Sequence, residues 1–269
     1  MTDAMTEGER PTGLVQSILD RGFTEPFRMR SEEACDDIIA DANATEHRVS
    51  WYKALHEFDS ACTRAATDTA LVDRVTGLLG DDVLLWSTQM MRKRAGESHR
   101  WHADIEAYEW STVNGWMGLR NTNEDACLLV IPGSHLYGRM PQDHVPEGVD
   151  LFDDDAVLAA ARQHDPGAAI VPLVARPGEM VLFDGRMWHG SVNRTSSARF
   201  ALLTQYSPCS ANVRIPVSYV RPARWSEQRP PCLLVSGSDD ETSNQLIDQR
   251  RAVGARWLHR MHPRALNRR

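Results

Sequence analysis

Three side chains in the middle of the chain have the types and spacing of a metal site: His102 and Asp104, separated by Ala103, and His189 further downstream. His102-Ala103-Asp104 falls in a segment with strand-like alternation. A period of two places the imidazole and the carboxylate on one face and Ala103 on the other. Joined by a second imidazole, this pair makes a 2-His-1-carboxylate triad, which leaves three positions of an octahedral ion open for a co-substrate and O2. Zinc accepts the same ligands, but a bidentate co-substrate plus O2 favours Fe(II). His189 sits in Met187-Trp188-His189-Gly190-Ser191, directly after the strand-like run EMVLFDG. A strand end there can bring it against the HxD segment, whereas its bland reading is a core histidine beside Trp188. Arg199 opens the run RFALLTQY. An antiparallel return strand carries its guanidinium back toward the ion, where it can clamp a distal carboxylate bidentately. Without the three candidate ligands it would read as a surface arginine at a strand start.

These groups need a rigid frame, and the texture of the chain supplies one. From Val83 onward, short apolar or alternating runs are broken by Gly, Pro, Asn and Asp: VLLWSTQMM, WHADIEAYEW, VNGWMGL, ACLLVIPGSH, AIVPLVARPGEMVLFDG and RFALLTQYS. Many short strands with such turns predict a sandwich, barrel or jelly roll, and a jelly roll offers a pocket between its sheets. Residues 1–82 read as mainly helical. Leu14, Val15, Ile18 and Leu19 recur at helical spacing up to Gly22, Ser31-Glu32-Glu33 starts a second helix with a cap and an acidic first turn, and a third is predicted from about Ser60 to Leu79. Residues 1 to about 12 read as disordered. Residues 136–166 are polar and acidic, with Asp153-Asp154-Asp155, and read as a lid-like insert carrying a short helix. Beyond the core of residues 83–215, residues 216–269 form a C-terminal extension with a terminal helix at about 243–259.

With 269 residues, 42% hydrophobic and 25% charged, the chain suits one catalytic domain. A net charge of −7 and the lack of a basic run within the folded part argue against nucleic acid and anionic membranes as partners. No stretch approaches the roughly 18 apolar residues of a membrane span. Five cysteines without a CxxC spacing indicate neither a disulfide framework nor a zinc ribbon, so a cytoplasmic location is expected.

Together these residues resemble the phytanoyl-CoA dioxygenase family of Fe(II)- and 2-oxoglutarate-dependent oxygenases. The matching pieces are Trp101-His102-Ala103-Asp104, then the run from Cys127 to His135 (CLLVIPGSH), then Pro177 to His189 (PGEMVLFDGRMWH), then Asn193 and Arg199 leading to Gln205-Tyr206. The likeness spans roughly residues 83–208. It departs from the pattern before PGSH, where Glu124-Asp125-Ala126 stands in place of an Asn-Gly turn. The resemblance implies a double-stranded β-helix, a cupin-like jelly roll with flanking helices. It also implies iron held by His102, Asp104 and His189, with 2-oxoglutarate anchored by Arg199 and contacted by Lys93 and Gln89.

The chemistry that the resemblance implies is O2-dependent decarboxylation of 2-oxoglutarate to succinate and CO2, which leaves a ferryl-oxo species to abstract hydrogen from an unactivated C–H bond of a small specialised metabolite. Hydroxylation is the default outcome, with desaturation, epimerisation and ring closure as alternatives. Related halogenases carry a small residue where this chain has Asp104, so halogenation is disfavoured. Trp101, Trp116 and Trp188 are candidate walls of the substrate pocket, each with core packing as the competing reading. Glu106, expected on the strand face of Asp104, is a candidate ligand-orienting or substrate-contacting residue. Two readings of other classes stand beside this one: a jelly-roll binding protein without turnover, and a cupin-like isomerase that uses the metal without 2-oxoglutarate.

Overall fold

The computed structural model describes residues 12–219, 221–238 and 244–247. Helix α1 (Thr12–Arg21) leads through β1 (Phe27–Arg28) to α2 (Glu32–Thr45), α3 (Ala61–Ala66) and α4 (Thr69–Leu79). The core follows as β2 (Val83–Lys93), β3 (Ser98–His102), β4 (Val113–Arg120) and β5 (Leu128–Val130). After α5 (Asp154–Ala161) come β6 (Val171–Leu173), β7 (Glu179–Asp184), β8 (His189–Val192), β9 (Arg199–Pro208), β10 (Pro231–Ser236) and β11 (Gln245–Leu246). The strands form a seven-stranded sheet in the order β1-β7-β4-β9-β2-β10-β11 and a four-stranded sheet in the order β3-β8-β5-β6. All core pairings are antiparallel, in a jelly-roll arrangement with α1 to α4 on the large sheet and α5 on the small one.

Alternation along the strands decides which residues meet. On β4, Val113, Met117 and Leu119 pack outward against Ile38, Ile39, Leu71 and Val75 of the helices. Trp116 points inward, to Val130 of the small sheet and to Phe183 and Ala201 of the large one. The small sheet repeats the pattern: Leu128 and Val130 face in, while Leu129 faces out onto Met140, Leu151 and Val157 of the insert. Burying each such aliphatic side chain contributes roughly 1.5–3 kcal/mol. The insert therefore packs on the outer face of the small sheet. From there Gln142 exchanges two hydrogen bonds with the backbone of Ala103, at 3.1 and 2.8 Å.

The expected caps form, with the Ser31 hydroxyl accepting from Ala34 N–H at the start of α2. The single helix expected over 60–79 is instead two. Asp68 caps α4 through Ala70 N–H at 3.0 Å and pairs with Arg30 at 2.8 Å, which ends α3 just upstream. The C-terminal extension is not a separate appendage, because β10 pairs with β2 and widens the large sheet. Of the helix expected at about 243–259, the part described is β11, a short strand parallel to β10. The rest of that helix, and the expected disordered segment before Thr12, lie outside the described residues. No helix among the described residues is long and apolar enough to cross a membrane.

Candidate metal and co-substrate site

His102 is the last residue of β3 and His189 the first of β8, and antiparallel pairing sets them directly opposite one another. Their rings lie 4.1 Å apart between centroids. Asp104 lies just beyond the strand and starts a 3-10 turn at Ile105–Tyr108. Its Oδ1 lies 3.7 Å from His102 Nε2 and 4.0 Å from His189 Nε2, and one ligand atom from each residue falls within 4.8 Å of the others. Cis ligands about 2.1 Å from an ion stand about 3 Å apart. Closing this set onto one metal therefore needs side-chain shifts of about 1 Å on each side.

The donors are oriented for that task. His102 Nδ1–H donates to Arg100 O at 2.9 Å and His189 Nδ1–H to Met187 O at 2.8 Å, which leaves both Nε2 lone pairs aimed at the common point. Burial, with the neighbouring rings of His189 and His99, holds His102 well below the usual imidazole range, in the neutral form that a metal requires. The second oxygen of Asp104 is occupied: Asn114 Nδ2 donates to Oδ2 at 2.5 Å and Gln205 Nε2 at 3.4 Å. Gln205 also donates to Asn114 Oδ1 at 3.2 Å. The turn at Gly185 comes so close that a Cβ there would lie 2.9 Å from Ala107 Cβ and 3.3 Å from Asp104 Oδ2. Gly185 O accepts from Asp104 N–H at 2.8 Å.

Arg199 opens β9 opposite Lys93 of β2. Arg199 is 1% exposed, its guanidinium lies 5.4 Å from the Trp116 ring centroid, and its buried Nε has no hydrogen-bond partner among the described residues. Its contact to Cys127 O is long, at 3.5 Å. Burial pushes this group down to about 10. Burial, and then the charge of Arg199, push Lys93 down to about 8. Two desolvated cations side by side are costly unless an anion joins them, and the Glu97 carboxylate offsets the shift of Lys93 only in part. Gln89 lies on β2 opposite Leu203 and shares a strand face with Lys93 by alternation.

The candidate walls divide differently from expectation. Trp101 and Trp188 immediately precede the two histidines, so alternation turns them to the opposite face, into the core beneath the insert. Trp101 Nε1 donates to Asp154 at 2.7 Å and Trp188 Nε1 to Arg139 O at 2.7 Å. They are packing residues, and the pocket assignment is corrected for both. Trp116 does face inward, beside Arg199. Glu106 is not on a strand, because β3 ends at His102 and the 3-10 turn swings its carboxylate toward Lys53, 3.8 Å away. Residue type and spacing assign no role to Asn114, Gln205 or Lys53. A lone amide two residues from Trp116, in a β4 that is otherwise apolar up to its final Arg120, is the one available signal for Asn114.

The chain belongs to the phytanoyl-CoA dioxygenase family, whose model matches residues 14–201. That makes it an oxygenase of the Fe(II)- and 2-oxoglutarate-dependent class that its motifs resemble. It is similar to the ectoine dioxygenase of Sphingopyxis alaskensis, with 27% identity over 213 residues that cover 71% of this chain and 67% of that protein. Among solved structures, the non-haem monooxygenase ThoJ superposes with a TM-score of 0.64 at 21% identity, covering 87% of both chains. CytC3 with Fe(II) and α-ketoglutarate superposes with a TM-score of 0.63 at 19% identity, covering 87% of this chain and 92% of that one.

Proposed function

We propose that the protein hydroxylates an unactivated C–H bond of a small specialised metabolite, consuming 2-oxoglutarate and O2 and releasing succinate and CO2. The observation that carries this reading is the juxtaposition of an oriented His-Asp-His set with a buried Arg199–Lys93 pair that makes no ion pair among the described residues. Iron bound there would supply O2 activation and a hydrogen-abstracting oxidant.

The chain's own contribution is positional. His102, Asp104 and His189 hold one face of the ion. Asn114 and Gln205 keep the carboxylate turned so that Oδ1 serves as ligand. Arg199, with Lys93, takes the distal carboxylate of the co-substrate in charge-assisted hydrogen bonds, and Gln89 contributes from the same face. Trp116 excludes water behind Arg199, which strengthens those bonds by lowering the local dielectric. The whole chain acts as one catalytic domain on this reading, since residues from β2, β3, β4, β8 and β9 all converge on the site.

The test is anaerobic. Fe(II) and then 2-oxoglutarate are added to metal-stripped protein, and the visible metal-to-ligand charge-transfer band is recorded in wild type, Asp104→Ala and Arg199→Ala. A band in wild type that weakens in both variants supports the reading. Stoichiometric iron binding without a band would favour the isomerase-like or binding-protein reading instead, as would turnover unchanged by Arg199→Ala.

A further inference from the structure

Beside the metal-facing carboxylate lies a second charged pair that neither the ion nor the co-substrate cradle uses. Glu106 is 2% exposed, and its buried Oε1 has no hydrogen-bond partner. Lys53 Nζ stands 3.8 Å from that oxygen, beyond hydrogen-bonding distance, so the two groups face one another with bonding capacity unspent. Both are fixed from behind. Glu106 O accepts from Glu109 N–H at 2.9 Å and Trp110 N–H at 3.1 Å, while Lys53 O accepts from Thr88 N–H of β2 at 2.7 Å. The Lys53 side chain remains 13% exposed. Next to it, with its ring centroid 5.7 Å from Nζ, Tyr52 shares a 3.2 Å hydrogen bond with Tyr219 of the C-terminal extension. Those two rings are 55% and 43% exposed and form a rim over the pair.

We propose that Lys53 and Glu106 are the specificity-determining pair of the substrate pocket and take the head group of a small zwitterion, its carboxylate on Lys53 and its ammonium or amidinium on Glu106. The proposal rests on the oxygenase reading above and names the substrate class for that same site. An ion pair held apart in a desolvated place gains most from a ligand that brings both charges in the opposite sense. A ligand with a single charge would satisfy one partner and meet a like charge on the other. An uncharged ligand would replace water without charge assistance. The short separation of the pair requires the two ligand charges to sit on adjacent positions, as in an α-amino acid or a cyclic amidine carboxylate. Because Glu106 lies two residues after Asp104 in a tight 3-10 turn, a head group held there is adjacent to the metal-facing carboxylate.

The experiment uses the full chain, anaerobic, with Fe(II) and 2-oxoglutarate, after the charge-transfer band has been recorded. Calorimetric titration compares ectoine, L-proline and L-pipecolate with pyrrolidine, cyclopentanecarboxylate and cyclopentanol. At least one zwitterion is expected to bind about tenfold or more tightly than every counterpart with one charge or none. Lys53→Met and Glu106→Gln are each expected to remove that preference while the band persists. Removing one partner leaves the other buried and alone, so the double variant Lys53→Met/Glu106→Gln, with no orphan charge, guards against a mere folding defect. Its expected behaviour is a wild-type melting temperature, an intact band and lost zwitterion binding. Absence of zwitterion binding in a protein that shows the band overturns this proposal alone, as does undiminished binding by the double variant. Absence of the band strikes the oxygenase reading instead.

Discussion

The two sheets hold their parts of the site by different means. In the small sheet each imidazole is oriented by the carbonyl two residues before it, Arg100 O for His102 and Met187 O for His189, so the orientation is a local property of the strand ends. In the large sheet the supporting groups come from other strands. Asn114 and Gln205 reach Asp104 from β4 and β9, and Arg199 meets Lys93 only because β9 pairs with β2. Imidazole direction is thus set locally, while the support of Asp104 and the meeting of Arg199 with Lys93 depend on strand register.

Removing a ligand is the harshest way to break this division. Asp104→Ala and His189→Ala are expected to abolish stoichiometric Fe(II) binding and turnover, read by metal analysis and succinate release. Next comes Arg199→Met, which should weaken 2-oxoglutarate binding by about 100-fold while leaving the ligand-free protein as stable as wild type or more so, because a buried, uncompensated charge is gone. Equal losses of stability and binding would mean that Arg199 is structural. Asn114→Ala tests the long-range support: iron affinity should fall by about 10- to 100-fold with little change in 2-oxoglutarate affinity once iron is saturating.

A smaller effect sharpens the co-substrate half. The free-protein value of about 8 for Lys93 lies below the ordinary lysine range. The residue is therefore cationic below that pH and neutral above it, so 2-oxoglutarate affinity should fall as pH rises from 7 to 9. Lys93→Met should bind more weakly at pH 7 and lose that dependence, as measured by the charge-transfer titration. Smallest of all, Trp101→Phe removes the hydrogen bond to Asp154 on the face away from the metal. It should cost about 1 kcal/mol of stability and leave iron affinity unchanged; a change in that affinity would contradict the face assignment.

Most of the metal centre was legible in the residues themselves. HxD spacing needs only a locally extended chain to bring His102 and Asp104 together, and His189 and Arg199 announce themselves by their places beside strand-like runs. The same alternation rule, applied one residue earlier, would have turned Trp101 and Trp188 away from the pocket. Proximity in sequence to the ligands was the wrong guide there, since neighbours on a strand face opposite sides. Glu106 was misplaced for another reason: Asp104 begins a 3-10 turn, and the period of two ends where the strand does.

Residue type and local spacing therefore determined the ligand set, the strand-rich core, the α2 cap and the class of chemistry, because each depends on contacts within a few residues. Tertiary structure alone decided that Asn114 and Gln205 hold Asp104, that Lys93 meets Arg199, that the insert packs outside the small sheet, and that Lys53 faces Glu106. Those juxtapositions join segments from ten to more than a hundred residues apart. They arise from sheet register and layer packing, which no local pattern of side chains encodes.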